Sequence, residues 1–519
     1  MAELKNIKKI YFIGIGGIGM SALARYFRSQ GVAVSGYDRT ETALTRQLAE
    51  EGIAVHYADD PAMAPKDAEL IVYTPAMPKD HKELNYYLAN GYEVLKRSDV
   101  LGEITRSSFN ICVAGTHGKT TITTMIAHIL RHSGYGCNAF LGGIAVNYNS
   151  NFWSDPRNVC VVEADEYDRS FLKLTPDIAV ITSMDADHLD IYGTAEEVQR
   201  AFIEFSGKLK PGGLLLNKRG LERSAELNGD HHLEYGLEDQ ARPSAGDRSF
   251  AGDHPPTGDD PSATGAYASG IGMIRGGYEF GVKMEAAATG AVLWALEKIA
   301  LNMGGMHNVE NVTAAICVAH QLGIGDEKIR EAVAAFRGVR RRFEYVIRKQ
   351  GLVFIDDYAH HPEELKALIS GAKGLFGGMK CTVIFQPHLF SRTRDFADGF
   401  AASLNLADEV FLLPIYPARE LPVEGVSSDM IAARMDAGKA VVCTKHEILE
   451  ILKTRMQGKG GDGKARGSAV GQGSGAERGD GDTPNGGLEL LITAGAGDID
   501  ALVGPVREIL ERPAGTGDN

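Results

Sequence analysis

Three short segments carry residue types that handle phosphate. Gly14-Ile15-Gly16-Gly17-Ile18-Gly19 lies between an apolar run and a stretch of helical periodicity. Glycines at such a junction let the backbone approach a diphosphate, whose charge the open N–H groups of a helix start stabilise. Asp38 ends the next strand-like run, where an acid that reads a ribose belongs. NAD uses the same fingerprint, and a tight turn needs the same small residues, so this loop alone leaves its ligand open. The second segment is Gly115-Thr116-His117-Gly118-Lys119-Thr120-Thr121. Its end matches a phosphate loop, with Lys119 for the β- and γ-phosphates of a nucleotide and the Thr120 hydroxyl for magnesium. Val113 stands where the first glycine of that motif would be. The third is an acidic run in two pieces, Glu163-Ala164-Asp165-Glu166-Tyr167-Asp168 and Asp185-Ala186-Asp187-His188-Leu189-Asp190. Each follows an apolar run, and carboxylates at strand ends beside a phosphate loop are where Mg²⁺ finds oxygen ligands.

The elements that must position these groups alternate between strand-like and helical patterns, which predicts an α/β protein with parallel sheets. A strand over 9–13 precedes a helix whose Met20, Leu23, Ala24 and Phe27 share one apolar face. A second unit starts near Phe109. Its strand 110–114 runs into the phosphate loop, and the next helix puts Ile122, Met125, Ile126, Ile129 and Leu130 on one face before Gly134. Strands near 159–162 and 178–182 follow. A third unit begins after the arginines 340–342, with strands over 352–355, 382–385, 409–413 and 488–492. A chain of 519 residues has room for about three domains. The predicted division is 1–108, 109–340 and 341–519. Residues 237–270 and 458–487, rich in Gly and poor in apolar side chains, read as mobile surface insertions without chemistry.

Hydrophobic and charged shares of 44% and 24% are those of a soluble globular protein. The formal net charge of -14 gives no attraction to nucleic acid or an anionic membrane, so phosphate must be held by local groups. The six cysteines are scattered, with no C-x-x-C pair, and are expected in the core. The basic N-terminus leads into a short apolar run that opens into glycines, which reads as a first strand and not a signal peptide. No stretch approaches the ~18 apolar residues of a membrane span, and the expected compartment is the cytoplasm.

The loop GTHGKTT, followed by EADE-x-D and then DADHLD-x-Y, resembles the Mur ligase family of peptidoglycan synthesis. The opening GIGGIGMSALA resembles its alanine-adding branch. The likeness continues in order through GGMHNVENVTAA (304–315), VRRRFE (339–344), DDYAHHPEE (356–364), FQPHLFSRTRDF (385–396) and TAGAGDI (493–499). It implies a Rossmann-like N-terminal domain for a UDP-sugar, a P-loop-type central ATPase domain and a Rossmann-like C-terminal domain. The implied reaction is ATP-dependent: the lactyl carboxylate of UDP-N-acetylmuramate is phosphorylated, L-alanine attacks the acyl phosphate, and ADP and phosphate leave. The implied partners are those three small molecules and Mg²⁺.

Residue by residue, the resemblance implies that Gly14, Gly16, Gly17, Gly19, Met20, Ser21 and Asp38 bind the UDP-sugar. Gly115 to Thr121 hold ATP, with Lys119 on the phosphates and with Thr120, Glu163 and His188 around magnesium. His307, Asn308 and Asn311 lie on the adenine side; a polar-capped helix start would look the same. Arg341 and Arg342 match the family's arginine pair and suit charge developing in phosphoryl transfer. Asp357 is implied at the nucleotide, and Tyr358, His360 and Arg392 at the substrate, with His360 catalytic; His361 reads as structural. Leu389 departs from the arginine that several relatives carry, which leaves more to Arg392. No lysine can be placed at the metal site, where other branches carry a modified one. A ligase adding a recycled peptide, an inactive UDP-sugar-binding homologue and an NAD-dependent oxidoreductase are the alternatives; the last leaves GTHGKTT unexplained.

Overall fold

The alternation of apolar runs and helical stretches folds into three β-sheets in the computed structural model, which describes residues 4–75, 77–186, 189–238, 264–286, 289–418, 420–457 and 487–511. The first sheet holds β1 (Lys9–Ile13), β2 (Ala33–Tyr37), β3 (Ala54–His56), β4 (Leu70–Tyr73) and β5 (Val94–Lys96), all parallel, in the order 3-2-1-4-5. The order turns back at β1, and the crevice at such a switch point is where α/β sheets take ligands. The glycine loop leaves β1 there.

The second sheet contains β6 (Phe109–Ala114), β7 (Asn138–Ala145), β8 (Ser150–Trp153), β9 (Val159–Glu163), β10 (Ile178–Ile181), β11 (Leu214–Lys218) and β12 (His231–Leu237). It continues through β13 (Thr264–Ile274), β14 (Gly277–Ala286) and β15 (Val292–Leu301), in the order 15-14-13-12-11-10-6-9-7-8. The phosphate loop leaves β6, between β10 and β9. The third sheet, β16 (Glu344–Lys349), β17 (Leu352–Asp357), β18 (Cys381–Phe385), β19 (Glu409–Leu412), β20 (Ala440–Val442) and β21 (Leu490–Ala494), has the order 16-17-21-18-19-20. The class is α/β, but β7–β8, β14–β15 and β16–β17 pair antiparallel, so the expectation of parallel sheets throughout is corrected. Antiparallel neighbours need only short turns, and these pairs have them.

Two compact units result. One comprises Met1–Gly272, Tyr278–Asn302 and His307–Val339; the other comprises Met273–Gly277, Met303–Met306 and Arg340–Asn519. The first two sheets therefore share a unit, and one apolar cluster runs from Ile10 and Phe12 through Phe27 to Phe140, Phe152 and Val162. Helix Ile18–Ser29 buries Met20, Leu23, Ala24 and Phe27 as its spacing predicts, and also Ser21, Ala22 and Arg25, because β7 and β8 cover a second face. Helix Lys119–His132 is likewise buried from Thr120 to Leu130, not on one stripe. All six cysteines are buried.

The segment 237–270 does not read through as an insertion. Thr264 to Ala268 pair in parallel with Leu233 to Leu237, and Ala266 and Ala268 are fully buried. Its centre, and 458–486 of the second segment, lie outside the described residues. No helix among those described is long and apolar enough to cross a membrane.

Candidate functional site

In the first unit the glycine loop is held by its neighbours' main chain. Gly14 adopts φ +86°, its N–H and that of Ile15 donate to Tyr37 O at 2.8 and 2.9 Å, and a Cβ on Gly14 would lie 2.7 Å from Thr74 Cγ2. Gly16 N donates to Asp38 Oδ2 at 2.7 Å, so Asp38 gives one carboxylate oxygen to the loop itself. Gly17 caps helix Ile18–Ser29 with no side-chain bond, which leaves the first-turn N–H groups open to an anion.

A cleft of about 310 Å³ begins at this helix start and is lined by Gly17, Gly19, Arg97, Gly142, Glu163 and Asp165, among others. Arg97 Nη2 donates to Asp165 Oδ2 at 3.2 Å. On the far wall Glu163, at the end of β9, accepts from Gly142 N at 2.9 Å and from Thr120 Oγ1 at 3.0 Å. One cavity thus connects the glycine loop to the edge of the phosphate loop.

The phosphate loop is built by turns that only glycine takes without strain, with Gly115 at φ +140° and Gly118 at φ +81°. Ser183 Oγ lies 2.8 Å from Thr116 Oγ1 and accepts from His117 N at 2.8 Å; Thr182 Oγ1 donates to His117 O. Lys119 Nζ meets Glu166 Oε2 at 2.8 Å, with Glu166 only 2% exposed. Thr121 is buried in the helix. Asn311 Oδ1 lies 3.0 Å from where a Gly118 Cβ would be, and Asn311 donates to Asn308 Oδ1 at 3.2 Å, which brings the helix start carrying His307 beside the loop.

Magnesium fits these residues in part. The Thr120 hydroxyl, in the first turn of helix Lys119–His132, and the Glu163 carboxylate, at the end of β9, offer hard oxygen donors, as Mg²⁺ requires. No group of three His, Cys, Asp or Glu converges among the described residues, so a magnesium ion here would need phosphate and water oxygens to complete its set. His188 lies outside the described residues.

In the second unit β17 delivers Asp357, Tyr358 and His360 to one loop. Asp357 accepts from Phe343 N at 2.6 Å and Ala359 N at 2.7 Å, and burial pushes its carboxyl up to about 6. Arg341 has φ +60°, donates to Gly495 O and lies 4.9 Å over the Tyr358 ring, while Arg342 is exposed. His360 Nδ1 lies 3.0 Å from Tyr358 O and 3.4 Å from Glu364 Oε2, both acceptors, so the neutral ring carries its proton on Nδ1 and its lone pair on Nε2; burial lowers its pKa. His388 is 6.1 Å from the His360 ring, and both His388 Nδ1 and Arg392 Nη1 are buried without a hydrogen-bond partner. Burial lowers the His388 pKa, so the charge here is that of Arg392, whose unmet donor suits a carboxylate.

The Mur ligase family, catalytic domain, matches residues 9–109; the Mur ligase middle domain matches 113–256; and the Mur ligase, glutamate ligase domain, matches 341–462. The UDP-N-acetylmuramate–L-alanine ligase of Cytophaga hutchinsonii is 41% identical over 99% of this chain and 99% of its own. That of Porphyromonas gingivalis is 44% identical over 97% of this chain and 99% of its own. The chain belongs to the Mur ligase family. Among solved structures, the UDP-N-acetylmuramate–alanine ligase of Thermotoga maritima superposes with TM-score 0.71 and 26% identity, covering 97% and 98% of the two chains. The murein peptide ligase of Psychrobacter arcticus, 21% identical with TM-score 0.61 over 98% and 99%, shares the fold.

For a Mur ligase, the motifs land unevenly. Gly17, Gly19, Met20 and Glu163 line one cleft, and Thr120 meets it through its bond to Glu163. Ser21 does not: it is fully buried and bonds to Asn151. Arg97, Glu166 as partner of Lys119, and His388 were not singled out from sequence. Arg97 is one arginine at a helix start, without a periodic or motif signal, and only the folded chain brings it to Asp165. His388 lies in FQPHLFSR, four residues before Arg392, and a lone histidine there has no spacing that marks it.

Proposed function

We propose that this protein joins L-alanine to the lactyl carboxylate of UDP-N-acetylmuramate, consuming ATP, in the cytoplasmic synthesis of peptidoglycan precursor. The observation that carries the reading is the cleft that begins at the glycine loop and ends at Glu163 beside the phosphate loop, in a chain 41% identical to an alanine-adding relative along nearly its whole length. A carboxylate is a poor electrophile, and phosphorylation by ATP gives it a leaving group.

The glycine-loop N–H groups and Arg97 bind the sugar diphosphate. Lys119 exchanges Glu166 for the nucleotide phosphates, and Arg342 offers a further guanidinium. Asn308, Asn311 and His307 flank the nucleotide. Thr120, Glu163 and His188 would hold magnesium, which would offset repulsion between carboxylate and triphosphate. In the second unit, Arg392 and His388 take the alanine carboxylate, and the Nε2 lone pair of His360 accepts a proton from the attacking amine. Asp357 and Arg341 hold the loop that carries Tyr358 and His360.

Phosphate release measured with UDP-N-acetylmuramate, ATP, Mg²⁺ and L-alanine tests this. Release that depends on all four is expected; release with a recycled peptide in place of alanine, or none, would overturn it.

A further inference from the structure

Asn151 is fully buried on β8, yet its three polar contacts all go to one helix of the preceding domain. Its Nδ2 donates to Ile18 O at 2.5 Å and to Ser21 Oγ at 2.9 Å, and its Oδ1 accepts from Arg25 Nη1. Ile18, Ser21 and Arg25 form a stripe along helix Ile18–Ser29, the helix that the glycine loop opens. Arg25 is 6% exposed and turns the rest of its guanidinium to Glu51, with bonds of 2.7 to 3.0 Å. Around this clamp the Tyr26 ring sits 5.4 Å from Phe140 and 6.2 Å from Phe152.

We propose that Asn151, with Arg25 and Ser21, is a positioning device that fixes the sugar-binding loop at a set distance from the phosphate loop. The connection runs through short rigid pieces. The helix start holds the glycine loop; Asn151 holds the helix to β8; β8 pairs with β7; and Gly142 of β7 bonds Glu163, which Thr120 also meets. Apolar packing alone lets a helix slide or roll across a sheet, because it has no direction. Hydrogen bonds at three points do not, and each broken one leaves a buried group unmet. Transfer between two bound anions depends steeply on their separation, which gives such a device a purpose. The catalytic meaning rests on the function proposed above; the clamp itself does not.

The test uses the full chain with Asn151→Leu, which keeps the branched shape and removes all three bonds, and Arg25→Lys, which keeps a charge for Glu51 but gives up the fork. Turnover is expected to fall ~10-fold or more in Asn151→Leu and less in Arg25→Lys. The separate affinities for UDP-N-acetylmuramate and for an ATP analogue stay within about threefold, since each ligand keeps its own loop. Spin labels at exposed Glu50 and Glu222 should report one narrow separation in the parent and a broadened one in Asn151→Leu. Parent-like turnover, or affinities that fall as far as turnover, would overturn the proposal. So would an unchanged separation, whether or not the parent shows ligase activity. Should Asn151→Leu fail to fold, Arg25→Lys carries the same expectations at smaller size, and a parent-like result there overturns it equally.

Discussion

Lys119 Nζ lies 2.8 Å from Glu166 Oε2, so the phosphate-loop lysine is paired with a carboxylate that is almost wholly buried. Glu166 came from an acidic run that reads in sequence as metal ligands. The fold divides that run: Glu163 turns to Thr120, Asp165 to Arg97 and Glu166 to Lys119.

Removing the lysine therefore has two effects. Lys119→Ala is expected to abolish turnover while UDP-sugar binding persists. It should also destabilise the first unit by about 3 kcal/mol, because a buried carboxylate loses its partner. Lys119→Ala/Glu166→Gln should recover most of the stability and none of the activity. Denaturant melts and turnover check both, and near-normal turnover in the single variant would sink the phosphate-loop assignment.

The two adjacent histidines should separate. His361 caps helix Pro362–Leu375, with its ring 4.7 Å from Phe396, whereas the Nδ1 contact of His360 with Tyr358 O puts its lone pair on Nε2. His360→Ala is expected to lose at least ~100-fold in turnover, the scale of general-base loss, and His361→Ala far less. Burial lowers the His360 pKa below its ordinary 6.5, so the lone pair is present at neutral pH and is lost as pH falls through that lowered value. Equal losses in the two variants would mean that the loop only needs its shape.

Asp356 gives a stability test independent of activity. It is 1% exposed, accepts from Thr493 Oγ1 at 2.5 Å, and burial pushes its carboxyl from 3.8 up to about 7; Arg341, Glu344 and Asp357 face it. Between those values the folded state holds more protons than the unfolded state, so this group's contribution falls as pH rises and is greatest on the acid side. Relative to Asp356→Asn, the parent should lose stability steadily as pH rises from about 4 to about 7. A parallel pH dependence of the two melting midpoints would contradict this.

How far the sequence carries can be seen at particular residues. The glycine loop and the phosphate loop were legible because backbone geometry demands glycine at Gly14, Gly115 and Gly118, and that demand is local. Strand β13 was not, since its buried positions include Gly265, Ala266, Ala268 and Ser269, small residues that leave no apolar signal. Ser21 looked like part of the binding loop because it adjoins it, but the second face of its helix exists only once β8 packs there. Arg97 has no sequence mark, since its meaning comes from a partner, Asp165, far along the chain.

NAD should not compete for the first domain. Asp38 would have to turn to a ribose, yet its Oδ2 is bonded to Gly16 N at 2.7 Å and its Oδ1 accepts from Thr40 N at 3.3 Å. Displacement of UDP-N-acetylmuramate by NAD at low micromolar levels would count against that reading.

The most direct test of the central claim is identification of the product. UDP-N-acetylmuramate, ATP and Mg²⁺ are incubated with the purified protein and a panel of amino acids and the recycled tripeptide, each alone, and followed by mass spectrometry and ADP formation. The expected product is UDP-N-acetylmuramoyl-L-alanine, formed one-for-one with ADP, with L-alanine preferred to every other acceptor. A peptide conjugate as the main product, or ADP formation without any new amide, would contradict it.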